Sequence, residues 1–206
     1  MSQFFHIHPE NPQGRLISQA VQIIRQGGVV VYPTDSGYAI GCALGDKKAM
    51  DRIVQIRKID KNHNFTLVCK DFSEIANFAR VDNQAFRAIR AHSPGPYTFI
   101  FKGTKEVPKR VLNEKRKTIG IRIPDNKIAL AMLEELGEPI MSTSLLLPGE
   151  DFSESDPDEI RFRIEKQVDL IIHGGYLIET QTSIIDFSEG EAEIIRRGEG
   201  DVSLFE

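Results

Sequence analysis

The stretch Val29-Val30-Val31-Tyr32-Pro33-Thr34-Asp35-Ser36-Gly37-Tyr38 decides how the chain is read. Its first half is a β-branched run closed by an aromatic ring, the composition of a buried strand. Its second half changes to proline, small hydroxyls and glycine, which favour a turn. Upstream, Leu16, Ile17, Ala20, Val21, Ile23 and Ile24 recur at helical spacing until Gly27-Gly28 stops the helix. A helix feeding a buried strand that opens into a polar turn is the unit of an α/β sheet, and such sheets place ligands where their strands end. Thr34, Asp35 and Ser36 are therefore the first candidate binding residues, with a well-capped turn as the alternative.

The alternation continues to the end of the chain. The spacing predicts a helix over 47–57, a strand over 65–69, and helices after Ser73 and Asp82, residues suited to capping a first turn. Strands are predicted at 97–102 and 118–123, then a helix over 127–136 ended by Gly137, and a strand at 139–143. Asp156-Pro157-Asp158-Glu159 reads as a helix start with proline in its first position. Strands at 168–172, 183–187 and 192–195 complete the pattern, the last of them spaced for an antiparallel edge. No Ser/Gly-rich linker, repeat or low-complexity tract interrupts it, so a single α/β domain over 1–206, with helices flanking a mixed, twisted sheet, is expected.

With 206 residues, 40% of them hydrophobic and 27% charged, the chain is long enough to bury a large core. Its apolar runs, Val29 to Tyr32 and Ile128 to Leu133 among them, fall far short of the roughly 20 residues of a membrane span. There is no charged start followed by an apolar block, so a soluble, cytoplasmic protein with no membrane partner is expected. Cys42 and Cys69 sit in apolar stretches and read as buried reduced thiols. His6 and His8 would share a strand face, whereas His63, His92 and His173 are dispersed. Neither a metal site nor a Ser/His/Asp arrangement is inferred from them.

The net charge of −4 is unevenly spread: seven Lys or Arg fall between Lys102 and Lys117 against Glu106 and Glu114, while 150–159 carries acids alone. Lys109, Arg110, Lys115, Arg116 and Lys117 could neutralise several RNA phosphates, by shape and charge because aromatic side chains are few there. A solvated face is the alternative. Pro94-Gly95-Pro96-Tyr97-Thr98 is a rigid turn before a strand. Ser142-Thr143-Ser144 ends an apolar strand with three hydroxyls that could hold a phosphate or carboxylate, or merely cap the strand. Arg122, between Ile121 and Ile123, faces away from both, toward a cleft or into a structural ion pair.

Taken in order, these segments resemble the YrdC/YciO family, and its YciO branch in particular. Tyr32-Pro33-Thr34-Asp35-Ser36 is similar to the family's YPTDT turn, Pro94 to Thr98 to its PGPxT, Gly120-Ile121-Arg122-Ile123-Pro124 to its arginine-bearing strand, and Ser142-Thr143-Ser144 to the start of its STSAN. Asp169 to Gly175, Ser183-Ile184-Ile185-Asp186 and Arg196-Arg197-Gly198 resemble its DLILDGG, STVVD and RPG segments. The resemblance implies a fold similar to 3,4-dihydroxy-2-butanone-4-phosphate synthase, with a positively charged concave surface that holds a nucleotide and accepts RNA. Catalytic members make threonylcarbamoyl adenylate from threonine, bicarbonate and ATP for tRNA modification. By the same resemblance Arg57, Lys58, Thr98 and Arg196 join Thr34, Asp35, Ser36, Arg122, Ser142, Thr143 and Ser144 as substrate- or nucleotide-binding residues. ATP with Mg, threonine, and structured RNA or tRNA are the implied cofactor and partners, and a monomer is expected.

Two departures matter. The family's Lys-x-Arg pair reads Arg57-Lys58-Ile59 here, and its Ser-x-Asn pair reads Ser144-Leu145-Leu146. Losing two polar contacts at about 1.5–3 kcal/mol each would weaken ATP use by roughly two to four orders of magnitude, with Lys58 or Lys61 the cations placed to compensate. The expectation is thus an RNA-binding paralogue, for tRNA or double-stranded RNA, with weak or redirected activity on threonylcarbamoyl groups. The alternatives are a working threonylcarbamoyl-adenylate synthase, a hydrolase that removes the group from tRNA, and an α/β domain that binds only a small anion.

Overall fold

The computed structural model describes residues 2–60 and 63–206. Among the described residues the α-helices and strands follow in chain order: β1 (Gln3–His6), α1 (Gly14–Arg25), β2 (Val30–Thr34), β3 (Gly37–Ala43), α2 (Lys47–Arg57), β4 (Thr66–Val68), α3 (Phe72–Phe78), α4 (Asn83–His92), β5 (Tyr97–Lys102), β6 (Thr118–Arg122), α5 (Lys127–Leu136), β7 (Ile140–Ser144), α6 (Pro157–Ile164), β8 (Leu170–His173), β9 (Ser183–Asp186) and β10 (Glu193–Arg196), with a short 3-10 turn at Ser203–Phe205.

The strands form one ten-stranded sheet in the order β1-β8-β2-β3-β7-β4-β6-β5-β9-β10. Parallel and antiparallel ladders mix: β2 runs parallel to β8 and antiparallel to β3, and β4 runs parallel to β6 and antiparallel to β7. The β9–β10 edge is antiparallel, as its spacing predicts. Because side chains alternate along β2, Val30 and Tyr32 join a core with α1 and α5, while Val29 and Val31 join the larger core on the opposite face. A strand buried on both faces reads as a continuous apolar run, which is what the decisive stretch displays.

Two expectations need correction. The turn after Tyr32 is shorter than the composition suggests. β2 continues through Pro33 to Thr34, the chain reverses at Asp35-Ser36, and an unforeseen strand, β3, returns with Thr34 opposite Gly37. Pro33 is tolerated because β8 pairs with β2 only at Val30 and Val31, so the missing N–H removes no bond there. The cap of α3 is Asp71, whose carboxylate accepts from the Glu74 amide, and Ser73 lies inside the helix. Asp46, Asp82 and Asn126 cap α2, α4 and α5 in the same way.

Candidate functional site

The β2–β3 turn supplies the first wall of a cavity of about 350 Å³. Thr34 Oγ1 donates to the Gly37 carbonyl at 2.6 Å and accepts from the Ser36 amide at 3.1 Å, so this hydroxyl is used in shaping the turn. At the end of β6, Arg122 donates to Ser36 Oγ at 2.7 Å and forms an ion pair with Asp35. The arginine side chain is 9% exposed and the carboxylate 12%, so it both faces the cleft and is paired. Asp35 Oδ2, Arg122 Nε and Thr180 Oγ1 are buried with no hydrogen-bond partner among the described residues. Such atoms are costly unless a water or ligand meets them.

The end of β7 supplies the second wall. Ser142 Oγ accepts from the Tyr32 hydroxyl at 2.7 Å and donates to the Ile40 carbonyl at 3.2 Å, a structural tie, and burial pushes the Tyr32 phenol up to about 12. Ser144 lines the cavity and is exposed. Thr143 Oγ1 is held from two sides: Arg57 Nη1 at 2.5 Å and His63 Nε2 at 3.0 Å. Arg57 is the last residue of α2, and its Nε also donates to the Leu146 carbonyl at 3.0 Å, which fixes the guanidinium plane. Burial lowers the Arg57 pKa, and burial followed by the Arg57 charge lowers that of His63 below the ordinary imidazole value.

The third wall is the β5–β9 edge. Thr98 Oγ1 lies 3.0 Å from Thr182 Oγ1, and Arg196 donates to the Thr182 carbonyl at 2.9 Å and to its hydroxyl at 3.0 Å. Burial lowers the Arg196 pKa. Asp151 and Glu179 line the same space, so its three arginines stand against two acids and the Asp35 carboxylate.

Nine of the eleven substrate- or nucleotide-binding candidates therefore line one cavity, and Asp35 touches it through Arg122. Lys58 does not line it: the residue is exposed and caps α2 in the left-handed region at φ 50°. Ile59 packs against the larger core, whereas Leu146 lines the cavity. Lys61, the other cation expected beside that gap, lies outside the described residues. The sequence reading missed His63. No spacing rule joins it to Thr143, eighty positions away; the one available signal was its place in the loop just after Arg57.

A second cavity, about 780 Å³, opens between α2 and the loop over 104–117. Lys47, Lys109, Arg110 and Lys115 line it with Asp51 and Glu114, over apolar side chains that include Met50, Phe65 and Leu112. His63 and Asn64 line both cavities, so the two meet there. The basic candidates divide: Lys109, Arg110 and Lys115 face the groove, although Arg110 pairs with Asp51. Arg116 Nη2 donates to Ser188 Oγ at 2.8 Å and lies 2.9 Å from the buried Asp186 carboxylate, a close charge contact outside hydrogen-bond alignment. Lys117 lines neither cavity and holds a left-handed turn at φ 55°. Among the described residues no group of three or more His, Cys, Asp or Glu stands together to hold a metal ion.

A ten-stranded mixed sheet whose strand ends surround a hydroxyl-lined cavity with three arginines defines an α/β protein, with a second groove lined by lysines alongside. The chain belongs to the Sua5/YciO/YrdC family, whose model, described as telomere recombination, matches residues 22–198. It is 62% identical to the protein YciO of Escherichia coli strain K12 over 205 residues, the whole of both chains. It superposes on the E. coli YciO crystal structure with a TM-score of 0.96 over 100% of each chain. A threonylcarbamoyl-AMP synthase of Chromobacterium violaceum is 31% identical over 137 residues, 66% of this chain and 70% of the relative. The crystal structure of P. abyssi Sua5 complexed with L-threonine shares the fold at a TM-score of 0.88 and 23% identity, with 96% of this chain and 58% of that one covered. No helix among the described residues is long and apolar enough to cross a membrane.

Proposed function

We propose that the protein binds structured RNA or tRNA along the groove beside α2 and receives a threonylcarbamoyl-bearing nucleotide in the hydroxyl-lined cavity, acting on that group rather than synthesising it from ATP. The observation that carries this is the division of charge between two joined cavities. The smaller one sets three arginines against Asp151, Glu179 and Asp35, while the larger one sets Lys47, Lys109, Arg110 and Lys115 against only Asp51 and Glu114. A triphosphate needs an excess of cations, and Leu146 contributes a side chain with no donor to the smaller space. A threonylcarbamoyl group, rich in hydrogen-bond donors and acceptors with a single carboxylate, suits its hydroxyls and the unpartnered atoms of Asp35, Arg122 and Thr180. The solved threonine complex of Sua5 is consistent with that occupant.

The test is tRNA binding by fluorescence anisotropy across a salt series. Lys109→Glu with Lys115→Glu weakens binding to every tRNA alike and lowers the salt slope by about 2, one for each lost phosphate contact. These two positions are preferable to Arg116, whose reversal would strand the buried Asp186. Affinity and slope equal to wild type would overturn the RNA reading. The synthase reading draws on the threonylcarbamoyl-AMP synthase relatives, and pyrophosphate release that requires ATP, threonine and bicarbonate together would establish it instead.

A further inference from the structure

We propose that Thr143 and His63 form a nucleophile–base pair for acyl transfer, with Arg57 as the positioning cation. The proposal deepens the reading above by assigning the chemistry of the hydroxyl-lined cavity, and its substrate class is a carbamoyl or acyl carbonyl.

The geometry carries it. Arg57 has only donors, so the 2.5 Å contact from Nη1 makes Thr143 Oγ1 the acceptor. The hydroxyl keeps its own proton to donate, and His63 Nε2 lies 3.0 Å from it. The pair works with the imidazole tautomer that carries its proton on Nδ1, which turns the Nε2 lone pair to the hydroxyl. A hydroxyl with a base on its proton and a fixed positive charge on its oxygen is the arrangement that activates a weak nucleophile. A second hydrogen bond, from Arg57 Nε to the Leu146 carbonyl at 3.0 Å, holds the guanidinium in this position. All three side chains line the cavity, which holds the oxygen within reach of a bound carbonyl. Burial and the Arg57 charge also favour neutral His63, the form able to take a proton.

The step balances as follows. Oγ1 bonds to the carbonyl carbon while its proton passes to Nε2. The imidazolium then returns that proton to the leaving nitrogen or oxygen as its bond to the carbonyl carbon breaks, which leaves the acyl or carbamoyl group on Thr143. Water attacks the ester, His63 takes a proton from it, and the proton returns to Oγ1 as the carbon–oxygen bond breaks. The net reaction is hydrolysis with the enzyme restored. Ser144, its exposed neighbour, has neither partner and serves as the internal comparison.

The experiment is incubation of the full chain with p-nitrophenyl acetate, followed by p-nitrophenolate release and peptide mapping by mass spectrometry. The expected result is an acetyl group on Thr143 in the wild type and in Thr143→Ser. Thr143→Val, which keeps the shape of the side chain, lacks it. His63→Ala slows its formation about 100-fold, the reach of a lost general base, and added imidazole restores the rate. Failure to acetylate Thr143, or acetylation of it at the wild-type rate in both His63→Ala and His63→Gln, overturns the proposal. The probe contains neither RNA nor nucleotide, so a negative result removes the pair and leaves the RNA reading to the Lys109 and Lys115 measurement.

Discussion

His63 shows how far one side chain's chemistry depends on what the fold sets against it. Alone in sequence it is one of five scattered histidines; in the fold it is half-buried beside a guanidinium and bonded to a buried threonine. Its folded pKa lies below the ordinary value of about 6.5, first by burial and then by the Arg57 charge. The unfolded chain therefore binds a proton here before the folded chain does. Stability is unaffected by this residue above about pH 6.5 and declines as the pH falls from there through the folded pKa. His63→Gln removes that contribution. The urea midpoint of the variant falls less between pH 7.5 and pH 5.5 than that of the wild type, and equal falls would show that His63 is as free to protonate in the folded state as in the unfolded one. The cysteines were legible without the fold: both are free and buried, and burial pushes the Cys42 thiol up to about 12 and raises that of Cys69 well above the ordinary range.

Helix α2 positions the candidate site at the scale of the element. Its extent over 47–57 was readable from the sequence, and its last residue, Arg57, reaches the cavity. What the pattern did not convey is how the helix stops. Lys58 takes the left-handed conformation, which costs a residue with a Cβ about 1–2 kcal/mol. Lys58→Gly should stabilise the protein by about 0.5–1 kcal/mol net of glycine's greater unfolded-state freedom, measured by urea unfolding. Unchanged tRNA affinity in the same variant would leave Lys58 as a helix cap, whereas weakened affinity would return it to the binding surface. Ile59 packs on the core, so restoring the family's arginine there would bury a charge; Leu146→Asn is the substitution the cavity can accept.

At the scale of the molecule, the sheet ties the ends of the chain to its middle. β1 pairs with β8 and β5 with β9, so strands from the N-terminal and central thirds are completed by strands from the last third. With one sheet shared by both cores, no segment keeps its hydrophobic face covered alone, and we predict a single cooperative thermal transition. Far- and near-UV circular dichroism should give coincident midpoints; two separated transitions would divide the chain into independent units. The basic stretch also has to be judged at this scale. Lys102 is 2.9 Å from Glu189, Arg116 meets Asp186 and Arg110 meets Asp51, so acids distant in sequence neutralise cations that a residue count presents as one face.

The sequence by itself determined the local facts: that helices and strands alternate along the chain, that the run from Val29 is a buried strand, and that the hydroxyl-rich segments lie at strand ends. These follow from periodicity, capping and turn chemistry, which act over a few residues. It missed β3 because Gly37 and the small residues around it read as turn, and only pairing with β2 and β7 makes that segment a strand. Only the tertiary structure decided that Arg122 binds Asp35, that Thr143 lies between Arg57 and His63, and that the basic groove opens onto the hydroxyl-lined cavity at His63 and Asn64. Those contacts join positions on different strands and loops, and the order in which the strands enter the sheet brings them together.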